Sequence, residues 1–338
     1  MTEMMNALVY TDTQQITYRQ EPLPQPRAGD VRIDIAATAI CGSDMHAYHG
    51  KDARRVPPLI LGHEVSGTVM DGQYKGQRVV INPLMTCGEC ASCVGGRSNL
   101  CTKRELIGMY LPGAFAEQVA ISERNILSIP EDMSAIDAAL SEPTATGLHA
   151  VALVERMLMR PLSEARCLVI GGGAIGMLTM LILKAKGCVM IDLAETNSLR
   201  LSSIDQQNCA TSFNPLKESL PHPEGYDVVF DCVGAGATRR LSSEAVCAGG
   251  IISHVGLQDE NAGLDTRKLT LQEVIFLGNY CYTRADMKAA IDMLYRGQLG
   301  QLDWVEVRPL SAGAQAFRDL HVGQVGAAKI VLQPDSLL

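Results

Sequence analysis

The sequence predicts an α/β protein in two parts: a compact β-rich domain and a doubly wound domain built on a parallel sheet. Three observations carry this. Up to about residue 130, short β-type runs alternate with Pro- and Gly-rich turns, the texture of an antiparallel β domain. Beyond Ser134, apolar strand runs alternate with helical segments, which signals parallel strands with helices on both faces. Within the second part lies C-L-V-I-G-G-G-A-I-G, where an apolar strand enters a glycine turn and then a helix. A chain of 338 residues carries a prior of about two domains. The first is expected at 1–145 and the second at 146–285, with 286–338 returning to the first.

In chain order, the β-type runs are Ala7–Tyr10, Ile16–Arg19 and the alternating Val31–Thr38, with E-P-L-P-Q-P-R-A-G-D as the turn before the third. Val65–Val69, Arg78–Ile81, Phe115–Ala120 and Ile126–Ile129 continue the pattern. Ala-rich helical sequence then leads to Pro161. The alternation follows as a strand at Cys167–Ile170, a helix at Ala174–Lys186, and strands at Val189–Ala194, Val228–Asp231 and Ile251–His254. The tail returns to strands around Val305–Val307 and Lys329–Leu332.

Composition narrows the function. The chain is 47% hydrophobic with ordinary charge density, the profile of a soluble globular protein. Its net charge of -8 and the lack of a basic stripe argue against nucleic acid as a partner. Met1–Tyr10 has no secretory pattern, and the longest mostly apolar run, Ala174–Leu183, is far too short to span a bilayer. A cytoplasmic protein acting on a small molecule, with no membrane partner, is therefore expected. Eleven cysteines without an export signal do not form a disulfide framework, so clustered ones point to metal and scattered ones to packing.

Cys87, Cys90, Cys93 and Cys101 are spaced C-x2-C-x2-C-x7-C on a loop containing Gly88, Gly95 and Gly96. Four close thiolates make a closed tetrahedral site with no position for substrate, which is a structural zinc. A reduced metal-free loop and an iron–sulfur cluster are the other readings. A second group lies at Cys41, His63 and Glu64, within C-G-S-D-M-H and the later G-H-E. A thiolate, an imidazole and a carboxylate suit a catalytic zinc, which needs three protein ligands and one open position. A buried cysteine beside a hydrogen-bonded histidine is the alternative.

The glycine turn of Gly171, Gly173, Ala174, Ile175 and Gly176 has the strand-turn-helix context in which a pyrophosphate meets a helix N-terminus. Two acids follow the next strand, Asp192 and Glu195. Glu195 is the better ribose ligand because it falls at the carboxyl end of Val189–Ala194, whereas Asp192 lies within that run. A methyltransferase also joins glycines to a ribose-binding acid, so the turn alone specifies a nucleotide; the zinc group upstream favours a nicotinamide cofactor.

With these motifs, Gly113-Ala114-Phe115-Ala116-Glu117, Glu142-Pro143 and Gly249-Gly250, nearly the whole chain resembles the zinc-containing medium-chain alcohol and polyol dehydrogenases, in the sorbitol and threonine dehydrogenase branch. The resemblance implies a GroES-like catalytic domain joined to a Rossmann domain, one catalytic and one structural zinc per chain, NAD as cofactor, and a homodimer or homotetramer. It favours Glu195 as the ribose acid and implies Arg200 as the arginine following it. It further implies that Glu142 approaches the catalytic zinc where the classical alcohol dehydrogenases supply a cysteine, and leaves open whether Glu64 or Glu142 binds directly. Thr144-Ala145 departs from the usual pattern and bears on pocket shape.

The reaction so implied is reversible oxidation of a secondary alcohol: a Lewis-acid metal acts on the hydroxyl and hydride passes to the nicotinamide. Ser43 accepts the proton and passes it toward His46 and solvent. By residue type alone, Ser43 reads as a turn hydrogen bond and His46 as a surface histidine. The other five histidines receive no role. Substrates in view are polyols, sugar acids and amino alcohols; a nucleotide-dependent transferase and a non-catalytic dinucleotide-binding protein with structural zinc are the competing classes. Lys51-Asp52-Ala53-Arg54-Arg55 is either a solvated loop or a basic arm over the cleft that grips an anionic substrate.

Overall fold

A computed structural model describes residues 3–337. The first part forms a hairpin, Met4–Asp12 against Gln15–Pro22, and a seven-stranded sheet. The centre of that sheet is Asp30–Ala39, flanked by Glu64–Val69 and Lys329–Gln333, with Gln118–Ser122 also pairing to it. Its alternation is the cause: Val31, Ile33 and Ile35 are buried while Asp34 is exposed. The tail strand Lys329–Gln333 pairs antiparallel to Asp30–Ala39 and parallel to Val305–Pro309, so the end of the chain completes the first sheet. This places Lys329 beside the start of Glu64–Val69.

The second sheet has six parallel strands: β1 (Arg166–Ile170), β2 (Met190–Ala194), β3 (Thr211–Phe213), β4 (Tyr226–Asp231), β5 (Val246–His254) and β6 (Ile275–Gly278). Their spatial order is 3-2-1-4-5-6, the doubly wound arrangement whose crevice lies at the carboxyl ends of the strands. Cys167, Leu168, Val169 and Ile170 are all buried, as expected of a strand covered on both faces. The helix Ala174–Ala185 buries Met177, Leu178, Met180, Ile182 and Leu183 against the helix Ser141–Glu155. Each such side chain contributes about 1.5–3 kcal/mol when fully buried.

Three expectations change. The strand expected at Phe115–Ala120 begins at Gln118, because the Phe115 ring is buried edge-to-face against Phe317 and packs over Gly62. The strand β6 was not foreseen, although Val274-Ile275-Phe276-Leu277 is an apolar run; it forms a sheet edge on which Phe276 is exposed. The tail also holds a helix, Gly313–His321, where only strands were expected. Among the described residues no helix is long and apolar enough to cross a membrane.

Candidate active site

Cys41 caps the helix Gly42–Tyr48, its Sγ accepting from the Ser43 N–H at 3.5 Å. Asp44, fully buried, completes the cap by accepting from the Cys41 N–H at 3.0 Å. Its second oxygen accepts from the Gly62 N–H at 3.4 Å and lies 3.6 Å from His63 Nδ1. One carboxylate thus ties together the two segments that carry the donors and turns His63 so that Nε2 is left for a metal. Ligand atoms of Cys41, His63 and Glu64 lie within 4.8 Å of one another. Gly62 has to be glycine, since its φ is 92° and a Cβ would meet the Phe115 ring at 2.6 Å.

The two carboxylates differ. His63 precedes the strand Glu64–Val69, so alternation along a strand does not separate the His63 and Glu64 side chains. Both Glu64 oxygens are held at 2.7 Å by Lys329 Nζ, which also donates to the Ile40 carbonyl at 2.9 Å; both residues are buried. Glu142, in the first turn of the helix Ser141–Glu155, is buried nearby with Tyr282 facing it, but falls outside the close donor group. Burial pushes its carboxyl up to about 7, against the pull of His63 and with the charge of Glu64 adding. A thiolate, an imidazole and a carboxylate are the donor chemistry of a catalytic zinc, and this set fits it.

Ser43 is not merely a turn residue. Its Oγ accepts from Arg55 Nη2 at 3.1 Å, and Arg55 is itself buried, with Nε donating to the Gly108 carbonyl at 2.8 Å and Nη1 paired with Asp52. Burial raises the Asp52 carboxyl, but hydrogen bonds from Arg54 and the charge of Arg55 outweigh this and hold it down at about 2. The pair therefore stays charged above about pH 4. Arg54 folds back onto Asp52, its Nε and Nη2 at 2.8 and 3.0 Å from the two oxygens. The stretch Lys51–Arg55 is thus neither a simple solvated loop nor an open anion clamp. His46 is half-buried; burial, with Lys51 and the two arginines, lowers its pKa against the pull of Asp52.

The four-cysteine loop brings Sγ of Cys90 and Cys93, and of Cys87 and Cys101, to 3.5 Å, with Cys87 and Cys93 at 3.9 Å. Backbone N–H groups of Glu89 and Cys90 lower the Cys87 thiol to about 6, favouring the thiolate. This closed set is a structural zinc site. The lobe also reaches the segment that follows β6: Asn99 Nδ2 donates to the Tyr280 carbonyl at 2.8 Å, and the Arg104 guanidinium stacks 4.6 Å from the Tyr280 ring centre. Cys93→Ser is expected to lose one zinc per chain, keep the other, and lower Tm on the order of 5–10 °C. Unchanged metal content and Tm, by elemental analysis and thermal unfolding, would count against the site.

At the glycine turn, Gly171 has φ 97° and donates its N–H to Ala194. A Cβ on Gly176 would lie 1.7 Å from the Gly171 carbonyl, while Gly173 has open space around it at the N-cap of the helix Ala174–Ala185. Ala174 and Ile175 open that helix. The turn is therefore a tight backbone cradle with an unobstructed mouth, which fits a pyrophosphate. Glu195, buried just past β2, accepts from the N–H groups of Gly172 through Oε2 and of Thr196 and Asn197 through Oε1. Arg200 Nη1 is 3.9 Å from Oε2. Asp192 is committed elsewhere, accepting from the Tyr226 hydroxyl at 2.6 Å.

Asp44 and Lys329 are the residues that sequence reasoning left without a role, and Arg55, read as a possible grip on an anionic substrate, instead turns inward to Ser43, Asp52 and the Gly108 carbonyl. Asp44 had a signal, being three residues after a cysteine that caps a helix. Histidines without an assigned role pair off: His149 with Asp286 and His49 with His321, each at 2.9 Å.

Residues 27–131 match the alcohol dehydrogenase GroES-like domain and residues 174–296 match the zinc-binding dehydrogenase domain. The chain is 29% identical over 321 residues to a 2-dehydro-3-deoxy-L-galactonate 5-dehydrogenase of Pseudoalteromonas atlantica, covering 90% of this chain and 92% of that one. It is 31% identical over 297 residues to an L-threonine 3-dehydrogenase of Mesorhizobium japonicum, covering 83% and 85%. Among solved structures it superposes, at TM-score 0.86 and 26% identity, on a Sinorhizobium meliloti protein described as a zinc-binding dehydrogenase and bound to NADP, covering 98% of this chain and 100% of that one.

Proposed function

The chain belongs to the zinc-containing medium-chain alcohol dehydrogenase family, in its threonine- and polyol-dehydrogenase-like branch, and from that premise we propose that it transfers hydride reversibly between NAD and a secondary alcohol of a polyol or sugar acid. As a member it is a zinc-dependent, NAD(P)-linked dehydrogenase acting on CH–OH. The observation that carries the finer reading is the close Cys41, His63 and Glu64 donor group with the Ser43 hydroxyl two residues from its thiolate.

Zinc, when bound, supplies Lewis acidity at the hydroxyl, and the nicotinamide accepts the hydride. The chain's own residues handle the proton. Arg55 Nη2 occupies one lone pair of Ser43 Oγ, leaving the hydroxyl proton and one lone pair for the relay. Ser43 accepts the substrate proton and passes its own onward. His46, with its pKa lowered, is neutral near pH 7 and so can accept that proton and release it to solvent. Asp44 and Lys329 hold His63 and Glu64 in place during this exchange.

Sugar-acid specificity takes its support from the galactonate-type relative, and the L-threonine relative supports an amino-alcohol substrate instead. The deciding experiment is a screen of polyols, aldonates and amino alcohols with NAD and with NADP. Turnover of a polyol or aldonate supports the proposal, turnover of threonine alone favours the amino-alcohol reading, and binding without any turnover favours a non-catalytic role. We further propose a homodimer or homotetramer, since β6 is an open sheet edge with Phe276 exposed.

NAD is the proposed cofactor because the buried Glu195 carboxylate retains an acceptor site for a ribose hydroxyl but repels a 2′-phosphate. kcat/KM is expected to favour NAD over NADP by at least about tenfold, with Glu195→Ala shrinking the ratio. A wild-type preference for NADP would mean that Arg200, 3.9 Å from the carboxylate, governs the pocket instead.

A further inference from the structure

Among the described residues Arg55 is the one arginine that the fold buries, and it is buried against the relay serine. Taking a guanidinium out of water is costly unless its N–H groups find acceptors. Arg55 finds them on three separate segments: Nε donates to the Gly108 carbonyl at 2.8 Å, Nη1 to Asp52, and Nη2 to Ser43 Oγ at 3.1 Å. Only Asp52 carries a charge, and it is shared, because Arg54 binds both of its oxygens through Nε and Nη2. The ion pair therefore accounts for Nη1 and leaves the contact with Ser43 to be explained.

The guanidinium is held from both sides. The Arg55 backbone N–H donates to the Asp52 carbonyl at 3.0 Å, which closes the turn that carries the pair. Gly108 has φ 72° and packs so closely on Gly62 that a Cβ would lie 2.7 Å from the Gly62 carbonyl oxygen. The carbonyl that fixes Arg55 Nε is thus braced against the residue preceding His63 of the metal-binding group. What this does to Ser43 follows from donor chemistry. A guanidinium has N–H donors and no acceptor, so the Ser43 hydroxyl has no reason to turn its proton toward Arg55. With Nη2 on one lone pair, the O–H points elsewhere and the second lone pair is the one place for an incoming proton. A water or a neutral acceptor at the same spot would accept from Ser43 as readily as donate to it, and would let the hydroxyl turn away from the relay.

We propose that Arg55 is the positioning residue of the proton relay, holding the Ser43 hydroxyl in the orientation that takes a proton from the substrate alcohol and hands its own onward. This rests on the hydride-transfer reading above. One O–H bond forms on Ser43 Oγ as the other breaks, so the serine stays neutral and Arg55 neither gains nor loses a proton.

The test uses the full-length, zinc-loaded protein and the polyol or aldonate that it turns over in the screen. For Arg55→Met, kcat for oxidation is expected to fall by about tenfold or more, while KM, NADH affinity and zinc content stay within about twofold. The solvent deuterium isotope effect on kcat should grow, because the misoriented hydroxyl makes proton transfer limiting. In a Ser43→Ala background the same Arg55→Met change should alter kcat by less than about twofold, since the group that it positions is gone. Should the methionine variant fold poorly, Arg55→Lys keeps the charge without the planar fork and is expected to show the same dependence on Ser43. Equal fractional losses with and without Ser43, an unchanged isotope effect, or an undiminished kcat would mean that Arg55 only braces the loop, and would overturn the assignment. A wild-type protein that oxidises no alcohol would overturn the hydride-transfer reading and the relay with it.

Discussion

Cys41→Ala is expected to abolish turnover, by on the order of 10³-fold or more, while NADH affinity stays within twofold of wild type. The asymmetry follows from where each part is built. Cys41 Sγ is the only thiol of the Cys41, His63 and Glu64 group, and without it one ligand of the set is lost, and with it the metal that acts on the hydroxyl. The glycine turn is formed by β1 and the helix Ala174–Ala185, and Glu195 is held by Gly172, Thr196 and Asn197; none of these touches Cys41. Folding should survive, since Asp44 still caps the helix and ties Gly62 to it. The measurements are zinc content, falling from two to one per chain, together with steady-state rate and NADH titration. Full activity in protein verified to lack this zinc would remove the donor group from the mechanism.

Sequence reading recovers what is local and misses what the fold brings in from a distance. The four-cysteine loop, the Cys41 and G-H-E segments and the glycine turn each carry their chemistry in a few neighbouring residues, so spacing alone exposes them. Lys329 is 265 residues from Glu64 and sits at the start of a short tail strand, where an isolated lysine reads as a solvated end. Only the return of that strand to the first sheet turns its amine onto the carboxylate. Arg55 was legible as a cation near the site but not as an inward-facing one, because its partners Gly108 and Ser43 are set by loop packing. Whether the adjacent His63 and Glu64 side chains can converge depends on whether His63 lies inside a strand, a boundary that no pattern fixes.

Replacing Lys329 with Met is expected to lower the unfolding free energy by about 3–5 kcal/mol, the range for removing one partner of a buried ion pair. Lys329 Nζ contacts both oxygens of Glu64 at 2.7 Å, and neither side chain is more than 2% exposed. The carboxylate cannot turn to water when the amine is removed, so its charge is left uncompensated in a low-dielectric site already holding the Cys41 thiol and the Glu142 carboxyl. The pair need not be net stabilising for this loss to be large, because the loss measures the orphaned charge. A double-variant cycle separates the two. Glu64→Gln removes that charge, so Lys329→Met combined with Glu64→Gln should recover most of the loss seen for Lys329→Met alone. The comparison is made by urea unfolding of protein from which the catalytic zinc has been removed, because a bound metal would itself offset the Glu64 charge, with metal content measured on each variant. A loss under about 1 kcal/mol, or a double variant no more stable than the single one, would mean that Lys329 does not compensate the Glu64 charge.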